Sequence, residues 1–442
     1  MRKTHRILLT ALLCLGLFLP VSAQQAERTA KVTGQVVNAQ GHYLMTTVLL
    51  TDLDQNTRTT HFTDLSGRFE LQLPKGNYLL TLLRDATWER MDIPLTITSR
   101  IPKELGELEL KQLYDIRSLG WYSGDLHQHS INSDGSDTPL DVLFADVAMG
   151  ADFGFITDHN SVDGVREYTA FPEVDNGPSP FLAMGGVEVT TPEKGHFNVL
   201  NTDSVYAHEL NSAEGFAASV QSAKGGERFV QINHPSRRDI LGFAYPELYG
   251  LFDGMEVWNG KDLPPLYATN LNAKEEWYAL LNSGLRLTAT ASSDVHSVAG
   301  NALHHQLDEL TRAWYTRGTF AAMPRTYLQL DQLTPQGIIG ALKAGRAFLS
   351  NGPMVLAAVD GITYGGTVPP GKKALHYEAM NNEELTVLRL VLNGEVMEER
   401  PLEGMAVQGS FDVALQPGDF IVLEAEAVNL GYALTNPIYC EK

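Results

Sequence analysis

Residues 124–136, GDLHQHSINSDGS, place two histidines one residue apart after an apolar run and follow them with an aspartate. Because the side-chain period of a strand is two, we expect His127 and His129 on the same side of a sheet. Two imidazoles and the carboxylate of Asp134 have the chemistry of metal ligands. A His-x-His pair is also compatible with two polar residues at a strand end, so the rest of the chain must decide.

Metal-capable side chains follow several other apolar runs in the middle of the chain. The runs GFIT, FLAMGGV, FVQIN and LTATASS precede, in order, Asp158 and His159, Glu188, His234, and Asp294 with His296. In a β/α barrel the carboxyl ends of the strands converge on one face, where active sites lie. His196 is an exception, because it begins its run, HFNVLN.

Nine residues therefore form one candidate metal site: His127, His129, Asp134, His159, Glu188, His196, His234, Asp294 and His296. Carboxylates packed together repel one another and take up protons unless cations neutralise them. Mixed nitrogen and oxygen ligands suit Zn, Mn or Fe better than Ca or Mg. Nine ligands exceed one tetrahedral site, so the pattern predicts two or three divalent ions. Each residue alone is more often structural, and only the joint placement favours metal binding.

The pattern changes along the chain in a way that predicts four segments. Residues 1–23 have a basic start, an apolar core and a small-residue exit, which is typical of a secretory signal peptide. Residues 24–115 consist of short alternating runs separated by turns, which predicts a β-sandwich. Residues 116–351 alternate apolar runs with helical patterns, which predicts a mostly parallel α/β domain. One such pattern, TPLDVLFADVAMGA, opens with Thr138 and Pro139, which suit a helix cap and a first turn. Residues 352–442 return to β patterning and predict a second sandwich.

Composition restricts the location and the partners. The formal net charge of −20 disfavours binding to nucleic-acid polymers. The mature chain has no stretch of about 18 apolar residues, so we expect no transmembrane segment. We therefore expect an exported protein, periplasmic or extracellular. Cleavage of the signal peptide leaves Cys440 as the one cysteine, which excludes an internal disulfide. The sequence leaves the oligomeric state open.

Five motifs in order resemble the PHP (polymerase and histidinol phosphatase) metallohydrolases, in particular the CehA/McbA-type branch. They are GDLHQHSINSDGS, FGFITDHNS, GGVEVTTPEKGHFNVL, INHPSR and ASSDVH, within residues 118–355. The resemblance implies a distorted (β/α)7 PHP barrel, here flanked by an N-terminal and a C-terminal β-sandwich. The stretch TDLSGRFELQLPKGNYLLTLL resembles a carboxypeptidase regulatory-like domain, which implies a module for packing or adhesion.

The resemblance also implies how the nine residues divide among metal ions. One group is His127, His129, Glu188 and Asp294. A second group, which shares Glu188, is Glu188, His196 and His234. A third group is Asp134, His159 and His296. Asp134 stands where many relatives carry histidine, so the third group here has a carboxylate in place of an imidazole.

The implied function is a metal-dependent hydrolase, foremost a phosphoesterase, that uses a metal-bridging hydroxide on a small anionic substrate. Asp158 is expected to orient a ligand or donate a proton, and Arg237 or Arg238 to contact the anion. One alternative is hydrolysis of an amide, ester or carbamate bond by the same centre. Another alternative is a glycan- or envelope-binding protein with structural metals.

Overall fold

The computed structural model describes residues 29–170, 174–175, 180–206, 210–236, 242–260, 268–298 and 321–442. The signal peptide expected over residues 1–23 lies outside the described residues. Within the described part of the chain, no helix combines the length and the apolar character needed to cross a bilayer. The chain is mixed α/β and rich in strands, which confirms the predicted class at this coarse level.

Seven strands form two sheets in the N-terminal part: β1 (Ala30–Val37), β2 (Thr47–Asp52), β3 (Thr57–Phe62), β4 (Arg68–Leu73), β5 (Gly76–Leu83), β6 (Met91–Ile97) and β7 (Lys103–Glu109). Their orders are β4-β1-β7 and β3-β2-β5-β6. Alternating burial along β4 turns Phe69, Leu71 and Leu73 toward the shared core and leaves the residues between them exposed.

The central part contains ten strands: β8 (Trp121–Asp125), β9 (Phe153–Ile156), β10 (Val174–Asp175), β11 (Pro180–Thr190), β12 (His196–Leu200), β13 (Phe229–Asn233), β14 (Gly254–Asn259), β15 (Thr288–Ser292), β16 (Arg325–Gln329) and β17 (Ala347–Ser350). The described helices are α1 (Pro139–Ala148), α2 (Val165–Tyr168), α3 (Ala213–Ala223), α4 (Ala268–Asn282) and α5 (Pro335–Ala344). Thr138 caps α1 in a capping box, and Pro139 occupies its first turn, as the sequence predicts.

Seven of these strands form a curled sheet in the order β8-β9-β11-β12-β13-β14-β15. Neighbouring strands are parallel except on both sides of β12, which is antiparallel to β11 and β13. The first and last strands of the curl approach each other at their carboxyl ends. There the Asp294 amide donates to the His127 carbonyl (2.9 Å), and the His129 amide donates to the Val295 carbonyl (3.0 Å).

Nine strands follow in the C-terminal part: β18 (Met354–Val359), β19 (Thr367–Val368), β20 (Gly371–Met380), β21 (Leu385–Leu392), β22 (Glu395–Pro401), β23 (Ala406–Leu415), β24 (Phe420–Ala427), β25 (Gly431–Thr435) and β26 (Ile438–Cys440). The sheet does not stop at residue 351. It continues from β8 through β16 and β17 to β25, which pairs with β24.

The N-terminal strands pack against both other parts. Met45, Leu49 and Leu83 belong to the same buried cluster as the apolar face of α1. The Tyr114 hydroxyl donates to the Asn381 carbonyl of the C-terminal part (2.9 Å). The three parts therefore share buried contacts.

Candidate metal centre

The nine candidate ligands gather at one edge of the curled sheet. His127 and His129 follow β8, His159 follows β9, and Glu188 lies near the end of β11. His234 follows β13, and Asp294 and His296 follow β15. Asp134 lies in the loop that leads to α1. The strands β8, β9, β11, β13 and β15 thus deliver their ligands at or near their carboxyl ends, whereas β14 carries none of the nine.

His196 reaches the same edge because β12 runs in the opposite direction. It is the first residue of β12 and pairs with Thr190 on one side and Asn233 on the other. In an antiparallel strand the amino end lies beside the carboxyl ends of its neighbours. The apparent exception in the sequence is therefore a consequence of strand direction.

Glu188 lies at the middle of the cluster and is fully buried. Its Oε1 faces three imidazole nitrogens, which are His127 Nε2 at 3.2 Å, His196 Nδ1 at 3.1 Å and His234 Nε2 at 3.4 Å. Its Oε2 faces two more, His159 Nδ1 at 2.7 Å and His129 Nε2 at 3.6 Å. One carboxylate thus touches five of the six candidate histidines.

Asp294 joins the first implied group. Its Oδ1 lies 3.0 Å from His129 Nε2 and 3.4 Å from His127 Nε2. The two imidazoles also meet directly, with 3.1 Å between their Nε2 atoms. In a hydrogen bond between these two nitrogens, one would donate a proton and the other would accept it with its lone pair. A shared cation can accept lone pairs from both nitrogens, so it fits the cluster better than hydrogen bonds do.

The third group is the one open to solvent. Asp134 Oδ1 lies 3.3 Å from His296 Nε2 and 3.5 Å from His159 Nε2. The Asp134 side chain is 57% exposed, whereas that of Glu188 is 0% exposed. The described residues therefore leave the Asp134 side of the cluster accessible and bury the Glu188 side.

The second ring nitrogen of three histidines is occupied in the way that metal-binding histidines require. His127 Nδ1 donates to Glu256 Oε1 (3.1 Å), His196 Nε2 to the Thr191 carbonyl (3.1 Å), and His296 Nδ1 to the Asp294 carbonyl (2.9 Å). Because an N–H faces each acceptor, the opposite nitrogen can present a lone pair to the cluster.

Other buried polar atoms in the cluster lack partners. His129 Nδ1, His234 Nδ1 and Glu188 Oε2 have no hydrogen bond among the described residues. Glu188 Oε2 is close to His159 but is not aligned for a hydrogen bond. Two ligands about 2.1 Å from one tetrahedral ion lie about 3.4 Å apart, which matches the spacings in the cluster. The residues present therefore fit divalent cations.

Electrostatics favour the ionised forms of Glu188 and Asp294. Burial alone would raise the pKa of Glu188, but His127 and His196 outweigh it and hold the pKa well below its usual range. The pKa of Asp294 is likewise held low, because His127 and His129 outweigh burial. Burial lowers the pKa of His129, which favours its neutral, metal-binding form.

Asp158 supports a loop and does not join the cluster. Its carboxylate accepts hydrogen bonds from the Ser130 amide (2.7 Å), the Ser130 hydroxyl (2.7 Å) and the Ser133 hydroxyl (2.7 Å). These contacts hold the loop that carries His129 and leads to Asp134. Arg237 and Arg238, predicted to contact an anion, lie outside the described residues.

Sequence reasoning missed several residues that contact the ligands. Glu256 is fully buried in β14, and Asn233 Nδ2 donates to Glu188 Oε1 (2.8 Å). The Thr190 hydroxyl lies 2.5 Å from His159 Nδ1. The available signal was Glu256 itself, because a glutamate inside the apolar run GMEVW indicates a buried charge with a partner.

Comparisons with known proteins come from solved structures, since no protein-family model and no curated protein matches the chain. A two-domain protein from Bacteroides vulgatus containing a predicted PHP-like metal-dependent phosphoesterase has 18% identity and a TM-score of 0.39, covering 72% of this chain and 94% of that chain. A protein from Bifidobacterium adolescentis, assigned provisionally as a metal-dependent phosphoesterase, has 15% identity and a TM-score of 0.31, covering 40% and 89%.

A third similar structure is an amidohydrolase from Chromobacterium violaceum with bound sulfate and no metal. It has 20% identity and a TM-score of 0.26, and it covers 41% of this chain and 90% of that chain. All three TM-scores are below 0.5, so these similarities do not establish an activity for this chain. The chemistry of the cluster has to carry the functional conclusion.

Proposed function

We propose that the protein is a metal-dependent hydrolase and that its substrate is a small phosphoester. The observation that carries this proposal is the cluster around Glu188, in which a chain of side-chain contacts connects three carboxylates and six imidazoles. Buried atoms without partners and occupied second ring nitrogens support metal binding by these side chains. A structural metal site closes its coordination shell, whereas the Asp134 side chain of this cluster is 57% exposed in the described part of the chain, which gives solvent or a substrate access to this side.

The residues that would hold the ions are the three groups that the resemblance implies. Glu188 would serve two of the groups, since its oxygens face imidazoles on both sides. Bound divalent ions supply a nucleophilic water at neutral pH and Lewis-acid polarisation of the substrate. Asp158 holds the loop beside the open side through Ser130 and Ser133. The substrate would enter from that side.

Charge favours an anionic substrate. Three carboxylates neutralise only half of the charge of three dications, so the loaded site would be positive. A phosphoester would meet this local field although the whole chain has a net charge of −20.

Family membership and location are parts of the same proposal. The five ordered motifs support a place in the CehA/McbA-type branch of the PHP metallohydrolases, with a distorted (β/α)7 barrel. The TDLSGRFELQLPKGNYLLTLL stretch supports a carboxypeptidase regulatory-like N-terminal sandwich. The composition of residues 1–23 supports export.

A substrate panel with chelated protein tests the function. The protein is stripped with a chelator, and Zn, Mn or Fe is added back before assays with phosphate monoesters, phosphodiesters, carboxylic esters and anilides. We expect phosphoester hydrolysis that one or more of the metals restores and that His129→Ala lacks. If metal restores hydrolysis of carboxylic esters or amides but not of phosphoesters, the substrate is an ester or amide and not a phosphoester. Tight metal binding without any hydrolysis would favour a binding protein with structural metals.

A further inference from the structure

Glu256 lies behind the candidate centre and accepts four hydrogen bonds. Its Oε1 accepts from His127 Nδ1 (3.1 Å) and the Ser292 hydroxyl (2.8 Å). Its Oε2 accepts from the His234 amide (2.9 Å) and from Asn259 Nδ2 (3.1 Å). A carboxylate offers about four acceptor positions, and all of them are used here. Glu256 is therefore placed to support ligands and not to bind an ion itself.

Asn259 extends this support to a third ligand. Its Nδ2 also donates to Asp294 Oδ2 (3.0 Å). Its backbone is fixed by Asn270 of α4, whose side chain accepts from the Asn259 amide (3.1 Å) and donates to the Asn259 carbonyl (3.0 Å). Glu256 is 0% exposed and Asn259 is 5% exposed, so water competes little for these bonds.

Resting on the proposed function, we propose that Glu256, with Asn259, is a positioning residue for the ions at Glu188. The His127 Nδ1–H donated to Glu256 fixes the tautomer and directs the Nε2 lone pair toward Glu188 and Asp294. The bond to the His234 amide holds a backbone with a φ of 29°, which a non-glycine residue rarely adopts.

The effect of Glu256 is expected to be local. Its hydrogen bonds reach ligands of the first and second groups. In the described ranges they do not reach Asp134, His159 or His296, which form the open third group. A change at Glu256 should therefore weaken the buried ions and spare an ion at the solvent-exposed side.

Glu256→Gln in the full chain is the primary variant. The amide nitrogen of glutamine would replace one carboxylate oxygen, and it cannot accept a hydrogen bond. Either His127 and Ser292 or His234 and Asn259 would therefore lose their acceptor. We expect the affinity for Mn or Zn, measured by competition with a chromophoric chelator, to fall about 10- to 100-fold. The matched control is Glu276→Gln on α4, because Glu276 accepts from the hydroxyls of Ser236 (2.7 Å) and Tyr249 (2.7 Å) and contacts no candidate ligand in the described residues.

Asn259→Ala is the second variant. It tests the positioning role if Glu256→Gln does not fold without metal. It leaves the Glu256 carboxylate in place and removes one bond to it and one bond to Asp294, so we expect a smaller but measurable loss of affinity. Wild-type affinity in the folded Glu256→Gln or in Asn259→Ala overturns the positioning role, as does an equal loss in Glu276→Gln. A wild-type protein that binds neither metal overturns the proposed function instead, and the two failures are thereby distinguished.

Discussion

At the scale of residues, Glu188 connects the two buried groups of candidate ligands. Both of its oxygens face imidazoles, and its pKa is held low by His127 and His196 against the effect of burial. Sequence reasoning identified Glu188 as a candidate because it follows an apolar run. The resemblance grouped Glu188 with four of the five histidines, but not with His159, which it assigned to the third group. The contact of Glu188 with His159 depends on how β9 lies beside β11 and has no local signal in the sequence.

Glu188→Gln is expected to remove the buried metal ions. The amide keeps the shape of the side chain but has one oxygen fewer and no charge, so it cannot serve ligand groups on both sides. We expect metal-restored hydrolysis to fall by more than about 100-fold, beyond the effect of losing a supporting contact. Elemental analysis and rate measurements check this, with Glu276→Gln as the control. Unchanged metal content would contradict a central role for Glu188.

Metal binding is expected to release protons. Burial by itself lowers the pKa of His127, but Glu188, Asp294 and Glu256 outweigh it and raise the pKa well above its usual value. The raised pKa favours the protonated form of His127 in the metal-free chain, and a cation at Nε2 must displace that proton. Affinity should fall about tenfold per pH unit as the pH decreases, for one displaced proton.

Calorimetric metal titrations in buffers with different protonation enthalpies measure that proton. We expect the apparent heat to vary linearly with the protonation enthalpy of the buffer. Identical heats in every buffer would show that no proton leaves and that His127 is neutral before binding.

At the scale of elements, strand direction and sheet closure decide which side chains meet. The runs KVTGQVVNA, LMTTVLLTDL, RFELQLP, NYLLTLLRD and DIPLTITS predict β1, β2, β4, β5 and β6, whose buried positions are mostly apolar, but no such run marks β3 or β7. These two are edge strands, and β3 has no fully buried residue while β7 is rich in Lys and Glu. A strand that buries little carries little apolar periodicity, so the sequence does not reveal it.

A side chain assists the closure of the curled sheet. The Thr326 hydroxyl of β16 accepts from the Ala291 amide (2.9 Å) and donates to the Ala291 carbonyl (2.8 Å) of β15. All of these groups are buried. Thr326→Val keeps the volume and leaves both backbone groups unpaired, so we expect the free energy of unfolding to fall by about 2–4 kcal/mol. Chemical denaturation measures this, and Thr60→Val on the partly exposed β3 is the control. A loss no larger than that of the control would contradict the closing role of Thr326.

At the scale of the whole molecule, the three parts are joined by shared cores and by a continuous sheet. The sheet that carries the candidate site continues through β17 into β25, and Met45, Leu49 and Leu83 of the N-terminal strands pack into the core of the central part. The predicted boundary near residue 351 was placed where the periodicity changes. Periodicity reports local structure and carries no information about which distant strands pair.

Leu49→Ala is expected to destabilise the N-terminal and central parts together. Leu49 is 2% exposed, and its truncation should cost about 2–5 kcal/mol. We expect a single calorimetric transition. Its midpoint temperature should rise when metal is added and fall with the substitution. A second transition, with a midpoint temperature that falls in Leu49→Ala and does not respond to metal, would contradict this. It would show that the N-terminal strands unfold independently.

The sequence alone determined the coarse class of the fold, the capped helix after Thr138 and the nine candidate ligands, most of which follow apolar runs. These features are readable because each depends on residues within a few positions of one another. Only the tertiary structure decided that β12 runs antiparallel, that His127 meets Glu256 across 129 positions, and that one side of the cluster is open. Such contacts depend on how strands curl and pair across the whole chain, and no local pattern encodes them.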